Sequence, residues 1–114
     1  MNEATVIQYV FLGDHVNEAA MSSLLSENWH CKSDPKEIFE LVRTEDIDLL
    51  NSRFPVDRIK LLATDGASHY LSRFIDDMDK DTFAKWMEYH LATCERQDLI
   101  GASNHTLDIL RIRD

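Results

Sequence analysis

Glycine is scarce in this chain of 114 residues, which has only Gly13, Gly66 and Gly101, each isolated from the others. No pair of them approaches the G-x-G spacing that lets a ligand come close to the backbone, so the sequence lacks a glycine-rich binding turn. Proline and cysteine are also rare, with two residues each. The cysteines, Cys31 and Cys94, lie far apart, and a chain of this size needs no disulfide to fold.

Basic residues and long hydrophobic runs are also in short supply. Lys and Arg number 12 against 21 Asp and Glu, which gives a net charge of −9. This balance argues against nucleic acid and membrane surfaces as partners, because both require a basic footprint. The apolar run at residues 4–12 lacks the preceding basic residues of a signal peptide, and no stretch is long enough to span a bilayer. We therefore expect a soluble, cytoplasmic protein.

Length and composition predict one domain, residues 1–114. A chain of this length with 44% hydrophobic residues can bury a single core. We divide it into a helical segment at residues 1–54 and a strand-helix-helix-strand segment at residues 55–114. This order predicts an α+β fold, in which two helices, rather than a tight hairpin turn, separate the two strands.

Hydrophobic spacing predicts helices in the first segment. Residues 4–12 fit either a helix or a strand, and we favour the helix. The helical period then continues through residues 14–26. Asp34 before Pro35, with Glu37 three residues on, predicts the start of a further, capped helix.

The second segment predicts two strands around two helices. Residues 58–64 are expected to form the first strand, residues 67–76 a helix and residues 106–112 the last strand. The last strand has apolar residues on both faces, which is typical of a strand covered on both sides. The clearest helix begins after its capping residue Asp79. Its predicted apolar face consists of Phe83, Trp86, Met87, His90, Leu91 and Cys94.

The closing third of the chain carries an unusual order of polar residues between a helix end and a strand. The residues are Tyr89-His90, Thr93-Cys94-Glu95-Arg96 and Gly101-Ala102-Ser103-Asn104-His105-Thr106-Leu107-Asp108-Ile109. Together with residues 61–66, this block resembles the C-terminal segment of bacterial S-adenosylmethionine-dependent methyltransferases of the class I, Rossmann-like fold. The resemblance extends over nearly the whole chain.

The resemblance implies a partial Rossmann-like fold, with helices packed on a small antiparallel sheet equivalent to the last two of seven strands. The strand near Ile59 corresponds to the sixth strand and the strand near Leu107 to the seventh. Residues before Ile59 correspond to a helical insertion that often covers the substrate in such enzymes. The glycine-rich turn that binds S-adenosylmethionine in this family has no counterpart here. We therefore expect the chain alone neither to bind that cofactor nor to catalyse.

Two functions follow from the resemblance. The chain is either the C-terminal, substrate-side fragment of a methyltransferase or a non-enzymatic oligomerisation and interaction domain derived from that fold. In both cases the strand near Leu107 keeps an unpaired edge, and such edges recruit another chain. We therefore expect a homodimer or a complex with a separate cofactor-binding chain.

The first candidate site residues are polar groups in the closing block. Ser103, Asn104 and His105 precede the last strand, where they either hold a substrate or tie down the loop. Arg96 is expected to brace this loop through an ion pair with Glu95 or to bind an anionic substrate group. The resemblance implies that this loop lies on the substrate side of an intact enzyme.

His90 is the remaining substrate-side candidate. It lies one helical turn from Cys94, and with His30 and Cys31 this pair offers ligands for zinc, but the spacing matches no zinc motif. A packed histidine is favoured over a metal ligand or a Cys-His nucleophile. Asp65 is expected to cap the helix that follows it rather than to serve as a general base.

Overall fold

Helices and a two-stranded sheet make up the described part of the chain. The computed structural model describes residues 3–33, 35–36, 38 and 41–114. This mixture of helices with a small antiparallel sheet confirms the predicted α+β class. The elements are α1 (Glu3–Phe11), α2 (Glu18–Leu24), α3 (Thr44–Asn51), β1 (Val56–Ala63), α4 (Ser72–Asp76), α5 (Lys80–Thr93) and β2 (Thr106–Ile112), with short 3-10 helices at Gly66–Ser68 and Ile100–Ala102.

β1 and β2 form an antiparallel pair, and α4 and α5 lie between them in the chain, as the sequence predicts. The pairing places Val56 opposite Ile112 and Ala63 opposite Thr106. A register shift after Arg58 marks a β-bulge, which increases the local twist of β1. The bounds of β2 agree with the predicted strand, and β1 covers most of its predicted range.

Side-chain caps fix the starts of two helices. The Asp79 carboxylate accepts a 2.7 Å hydrogen bond from the Thr82 amide, which confirms the predicted start of α5. The Asn17 side chain accepts from the Ala20 amide at 3.0 Å in the same way at the start of α2. α1 confirms the helix favoured at residues 4–12, and α2 is shorter than the pattern at residues 14–26.

Two helix predictions need correction. In the described residues after Pro35 the chain forms turns and bends rather than a helix, and the Leu41 amide donates to the Ser33 hydroxyl at 2.7 Å. The capping residues Asp34 and Glu37 lie outside the described residues. The helix predicted at residues 67–76 is reduced to a 3-10 turn followed by α4, since Gly66 enters it with a φ of 54°.

The core of the described chain is small. Leu61 and Ala63 of β1 are buried with Ile100 in one cluster, and Val6 and Val10 of α1 are buried as well. Other apolar residues expected to be buried are not. Leu91 on α5 is 68% exposed and Ile112 on β2 is 75% exposed, and much of Phe83, Met87 and Leu107 is exposed too. The predicted apolar face of α5 is therefore only partly covered in this chain, and the prediction that the last strand is covered on both sides is wrong for this chain by itself.

The molecule has a larger surface than a compact protein of its size. Its accessible area is 8920 Å², whereas surface scaling gives about 6,400 Å² for a monomer of this mass. Its radius of gyration is 16.6 Å, against about 13 Å for a compact domain of this length. Within the described ranges, every helix is too short or too polar to traverse a bilayer. The elements thus form an open arrangement, with the sheet exposed over much of its area.

Candidate functional site

The end of β1 and the start of β2 meet in a polar junction, which we call the Asp65 cluster (Asp65, Gly66, Ser103 and His105). The antiparallel register brings these two chain segments together, because Ala63 lies opposite Thr106. The Thr64 amide and hydroxyl both donate to the His105 carbonyl, at 3.1 and 2.9 Å, and extend the pairing beyond the strands. The cluster is therefore held in place by the sheet itself.

Ser103 lies at the centre of the Asp65 cluster and is only 6% exposed. Its hydroxyl accepts a hydrogen bond from the Gly66 amide at 3.0 Å. The hydroxyl oxygen lies 2.6 Å from both Asp65 Oδ1 and the His105 carbonyl oxygen, so a single proton is shared between two acceptors. Buried hydroxyls need such partners, and this one joins both halves of the cluster.

The Asp65 carboxylate binds across the sheet rather than capping the helix that follows it. Oδ1 also accepts from the His105 amide at 3.0 Å, and Oδ2 lies 2.9 Å from Nδ1 of the His105 ring. Asp65 makes no side-chain cap to the 3-10 helix at Gly66–Ser68, so the capping prediction is wrong. Burial acts to raise the pKa of Asp65, but hydrogen bonds from Ser103 and His105 outweigh it and hold the pKa below its ordinary value.

The His105 ring combines a fixed orientation with access to solvent. Its side chain is 76% exposed, although Nδ1 is tied to Asp65. In the tautomer that donates from Nδ1 to the carboxylate, Nε2 carries a lone pair, and no described residue contacts it through a hydrogen bond. An imidazole held in this way can accept a hydrogen bond or a proton from a bound molecule.

A cleft of about 80 Å³ lies beside the Asp65 cluster. Trp86, Tyr89 and His90 of α5 line one side, and Gly66 and Ala102 line the other. Gly66 belongs to the cluster and Ala102 precedes Ser103, so the cleft and the cluster share a wall. The fit against α5 is close, because a Cβ added to Gly66 would lie 3.2 Å from Nδ1 of His90.

The predicted site residues are only partly brought together. Ser103 and His105 belong to the Asp65 cluster, and Asn104 lies half-buried at the bend between them. His90 lines the cleft and is half-buried rather than part of the core. Arg96 forms two hydrogen bonds with Asp98, at 3.1 and 2.6 Å.

The predicted bracing ion pair between Glu95 and Arg96 is wrong. Arg96 finds a planar carboxylate two residues further along the chain, at Asp98. Glu95 pairs instead with Lys60 of β1, at 3.1 Å. Glu95 thereby links the end of α5 to the sheet, while the side chain of Arg96 remains more than half exposed.

The cysteines and histidines do not converge on a metal site in the described part of the chain, where no group of three or more His, Cys, Asp or Glu side chains is placed to hold an ion. Cys31 and Cys94 form no disulfide. The Cys94 thiol donates to the Leu91 carbonyl at 3.5 Å, within its own helix, rather than to His90. Cys94 is half-buried, not fully buried as its packing role predicts.

The glycines of this chain do not fit an S-adenosylmethionine site. The space beside Gly66 is filled by the His90 ring, and the Gly66 amide already donates to Ser103. Gly13 and Gly101 do not line a binding turn, because at most one carbonyl oxygen lies within 4 Å of a Cβ added at either position.

Asp65, the centre of the site, was not among the site residues predicted from the sequence. The available signal was an acidic residue directly after a strand, with Ser103 and His105 directly before the last strand. These groups meet only if the two strands are antiparallel neighbours in the observed register. Trp86 and Tyr89 were likewise assigned to other roles or left without one, although both line the cleft.

Comparisons with known proteins give no relative from which a role could be transferred. No family model matches this chain, and no curated protein or solved structure matches it. The relationship to methyltransferases therefore stays a prediction from the residues quoted above.

Proposed function

We propose that this chain is the C-terminal, substrate-side portion of a cytoplasmic S-adenosylmethionine-dependent methyltransferase whose cofactor-binding part is a separate stretch of polypeptide. The resemblance in the closing block is the starting point of this proposal. Two antiparallel strands with two helices between them are compatible with the last two strands of such an enzyme. The poor fit of the glycines to a cofactor site is compatible with a substrate-side role.

The observation that carries the proposal is the excess of exposed surface. The chain exposes roughly 2,500 Å² more than a compact monomer of its mass. That excess is comparable to what one partner contributes to a large, obligate interface. Exposed apolar side chains on α5 and β2 lie within this surface, as expected if another layer of protein covers them.

In this proposal the Asp65 cluster faces the methyl acceptor. Asp65 keeps the His105 ring in one orientation, and Nε2 receives the hydrogen bond or the proton of the acceptor group. Ser103 positions Asp65 from within and does not reach solvent. His105 is thus the residue that contacts the substrate, and Asp65 and Ser103 are positioning residues.

A second candidate, a non-enzymatic interaction domain, is favoured by one specific observation. In the described residues the sheet has only two strands, so the outer edge of β2 has unpaired backbone groups. A second copy of the chain can pair with this edge and form a homodimer. This alternative makes no use of the exposed His105 ring.

The decisive experiment combines the intact mass of the endogenous protein with a transfer assay. The protein is captured with an antibody to residues 95–114, weighed, and incubated with methyl-labelled S-adenosylmethionine and an extract of small molecules and proteins. We expect a mass more than twice the 13.2 kDa of this chain, or a co-purifying cofactor-binding chain, together with label transfer. A 13.2 kDa species that is a stable homodimer and transfers no label contradicts the proposal and supports the interaction domain.

A matched pair of histidine variants tests the role of His105 in the captured, active protein. His105→Asn should lower methyl transfer by about 100-fold or more, the usual contribution of a proton-accepting side chain. His69→Asn replaces another exposed histidine and should leave the rate unchanged. Equal rates for the two variants would show that His105 has no part in the reaction.

A further inference from the structure

We propose that the cleft beside the Asp65 cluster binds the ammonium group of a cationic amine. The cleft lies at the carboxyl end of α5, between that helix and the loop residues Gly66 and Ala102. As a statement about the methyl acceptor, this inference rests on the proposed function. As a statement about binding, it rests on the lining of the cleft, the end of α5 and the net charge of the chain.

Aromatic rings form one side of the cleft. The ring centroids of Trp86 and Tyr89 are 6.3 Å apart, and the ring planes are inclined by 34°. A cation is attracted to the face of such a ring when it lies within about 6 Å of the centroid. Because the two centroids are only 6.3 Å apart, a single position can lie within about 6 Å of both rings.

Two polar side chains of the cleft, Thr93 and Cys94, use their hydrogen-bond donors on backbone carbonyls of α5. The Thr93 hydroxyl donates to the Tyr89 carbonyl at 2.8 Å, and the Cys94 thiol donates to the Leu91 carbonyl. Their lone pairs remain as acceptors. The described lining residues include no lysine or arginine. Such a lining gives an anion no cationic partner and favours a ligand that brings positive charge or N–H donors.

The long-range field has the same sign. α5 is a helix of 14 residues, and its last turn, which supplies His90 and Thr93 to the cleft, carries the negative end of the helix dipole. The net charge of the chain is −9, which attracts cations to its surface. The aromatic side chains, the lining without lysine or arginine, the helix end and the net charge therefore all favour an ammonium group over a neutral or anionic one.

The test is a comparison of choline with its uncharged isostere, 3,3-dimethyl-1-butanol, on the isolated chain. A Trp29→Phe background leaves Trp86 as the single tryptophan, so that its fluorescence and its indole NMR signal report on the cleft. We expect choline to bind about two- to fivefold more tightly than the isostere, the range of a partly exposed cation–π contact. Equal affinities, or no binding of either probe, overturn the inference.

Variants at Thr93 separate charge from shape. Thr93→Lys introduces a positive charge into the lining and should abolish the preference for choline, whereas Thr93→Val should keep it. Tyr89→Leu removes one ring and should reduce the preference in a variant whose folding is checked by circular dichroism. If Thr93→Lys does not fold, Tyr89→Leu decides, and an unchanged preference in that variant contradicts the role of the aromatic rings.

Two further probes distinguish the source of the ammonium. n-Butylammonium represents a small free amine, and Nα-acetyl-lysine amide represents a lysine side chain of a protein. Binding of either one in competition with choline supports the inference, and failure of both opposes it. Selective choline binding without methyl transfer by the captured protein would support the cation site in the cleft and contradict the proposed function. Methyl transfer without selective choline binding would support the proposed function and contradict the cation site.

Discussion

The two ends of the β1–β2 pair differ sharply in how they are closed. At the end that leads into Asp65, side chains and backbone groups from both segments bond to one another around the buried Ser103. At the opposite end, the Arg113 amide donates to the Pro55 carbonyl at 2.7 Å, but the side chain of Ile112 is 75% exposed. Backbone pairing alone therefore does not decide whether the end of a sheet is buried, because the side chains around it must also find partners.

Between the two ends, charged groups rather than apolar packing attach a helix to the sheet. Arg58 of β1 forms two hydrogen bonds with Asp108 of β2, at 2.7 and 2.9 Å, and pairs with Asp48 of α3 at 2.8 Å. Asn51 of α3 also donates to Asp108, at 2.7 Å. The hydrogen bond from Arg58 holds the pKa of Asp108 below its ordinary value, although burial opposes this. Ionised side chains of β1 and β2 thus attach α3 to the sheet between its two ends.

Acid is expected to have the largest effect, because it removes charge from both Asp65 and Asp108. The pKa of each is lower in the folded chain than in the unfolded chain, where an aspartate titrates at about 3.9. Their contribution to stability is therefore complete above that pH and is lost as the pH falls through the lowered folded-state values. Urea unfolding should therefore give similar midpoints at pH 7 and 5 and a lower midpoint at pH 3, and the fall between pH 5 and 3 should be smaller in Asp65→Asn.

The sharpest test of the closed end is Asp65→Ala. It leaves the Ser103 hydroxyl and two groups of His105 without their carboxylate acceptor. We expect the free energy of unfolding to drop by about 2 to 3 kcal/mol, as for other part-buried donors that lose a charged acceptor. Asp57→Ala, which removes an exposed carboxylate of β1 at the opposite end of the pair, is the control and should have little effect. Similar losses in the two variants would mean that the closed end has no special role.

Gly66→Ala probes the backbone of the same end at a smaller scale. Gly66 has a φ of 54°, and an added Cβ would press on the His90 ring at 3.2 Å. We expect a loss of about 1 to 2 kcal/mol from the left-handed backbone conformation. Gly101→Ala is the matched control, since nothing lies within 4 Å of its added Cβ. Thermal unfolding monitored by circular dichroism measures the stability of both variants. A larger loss of stability in Gly101→Ala than in Gly66→Ala would contradict this prediction.

Ile112→Lys tests the open end and should have the smallest effect on stability. Because the side chain is mostly exposed, we expect the free energy of unfolding to change by less than about 0.5 kcal/mol. A lysine at this edge should nevertheless reduce association with another chain. Light scattering and co-purification before and after the substitution measure this. A large loss of stability in the isolated chain would mean that Ile112 is already buried there.

The elements that the sequence predicted best depend on neighbouring residues. Asp79 caps α5 through an amide three residues away, and β2 has the bounds expected from its β-branched and apolar residues. The prediction for Arg96 was wrong even at short range, because Glu95 and Asp98 were both available and spacing did not rank them. Hydrophobic spacing also predicted an apolar face on α5, which this chain covers only in part.

Local propensity, capping and composition were enough to predict the α+β class, most of the helices and strands, and the lack of a glycine-rich turn. The tertiary structure brings Asp65 to Ser103 and His105. These residues are about 40 positions apart, and their contact depends on the register of the two strands. It also decided which apolar side chains remain exposed, since burial depends on which layers the rest of the chain provides.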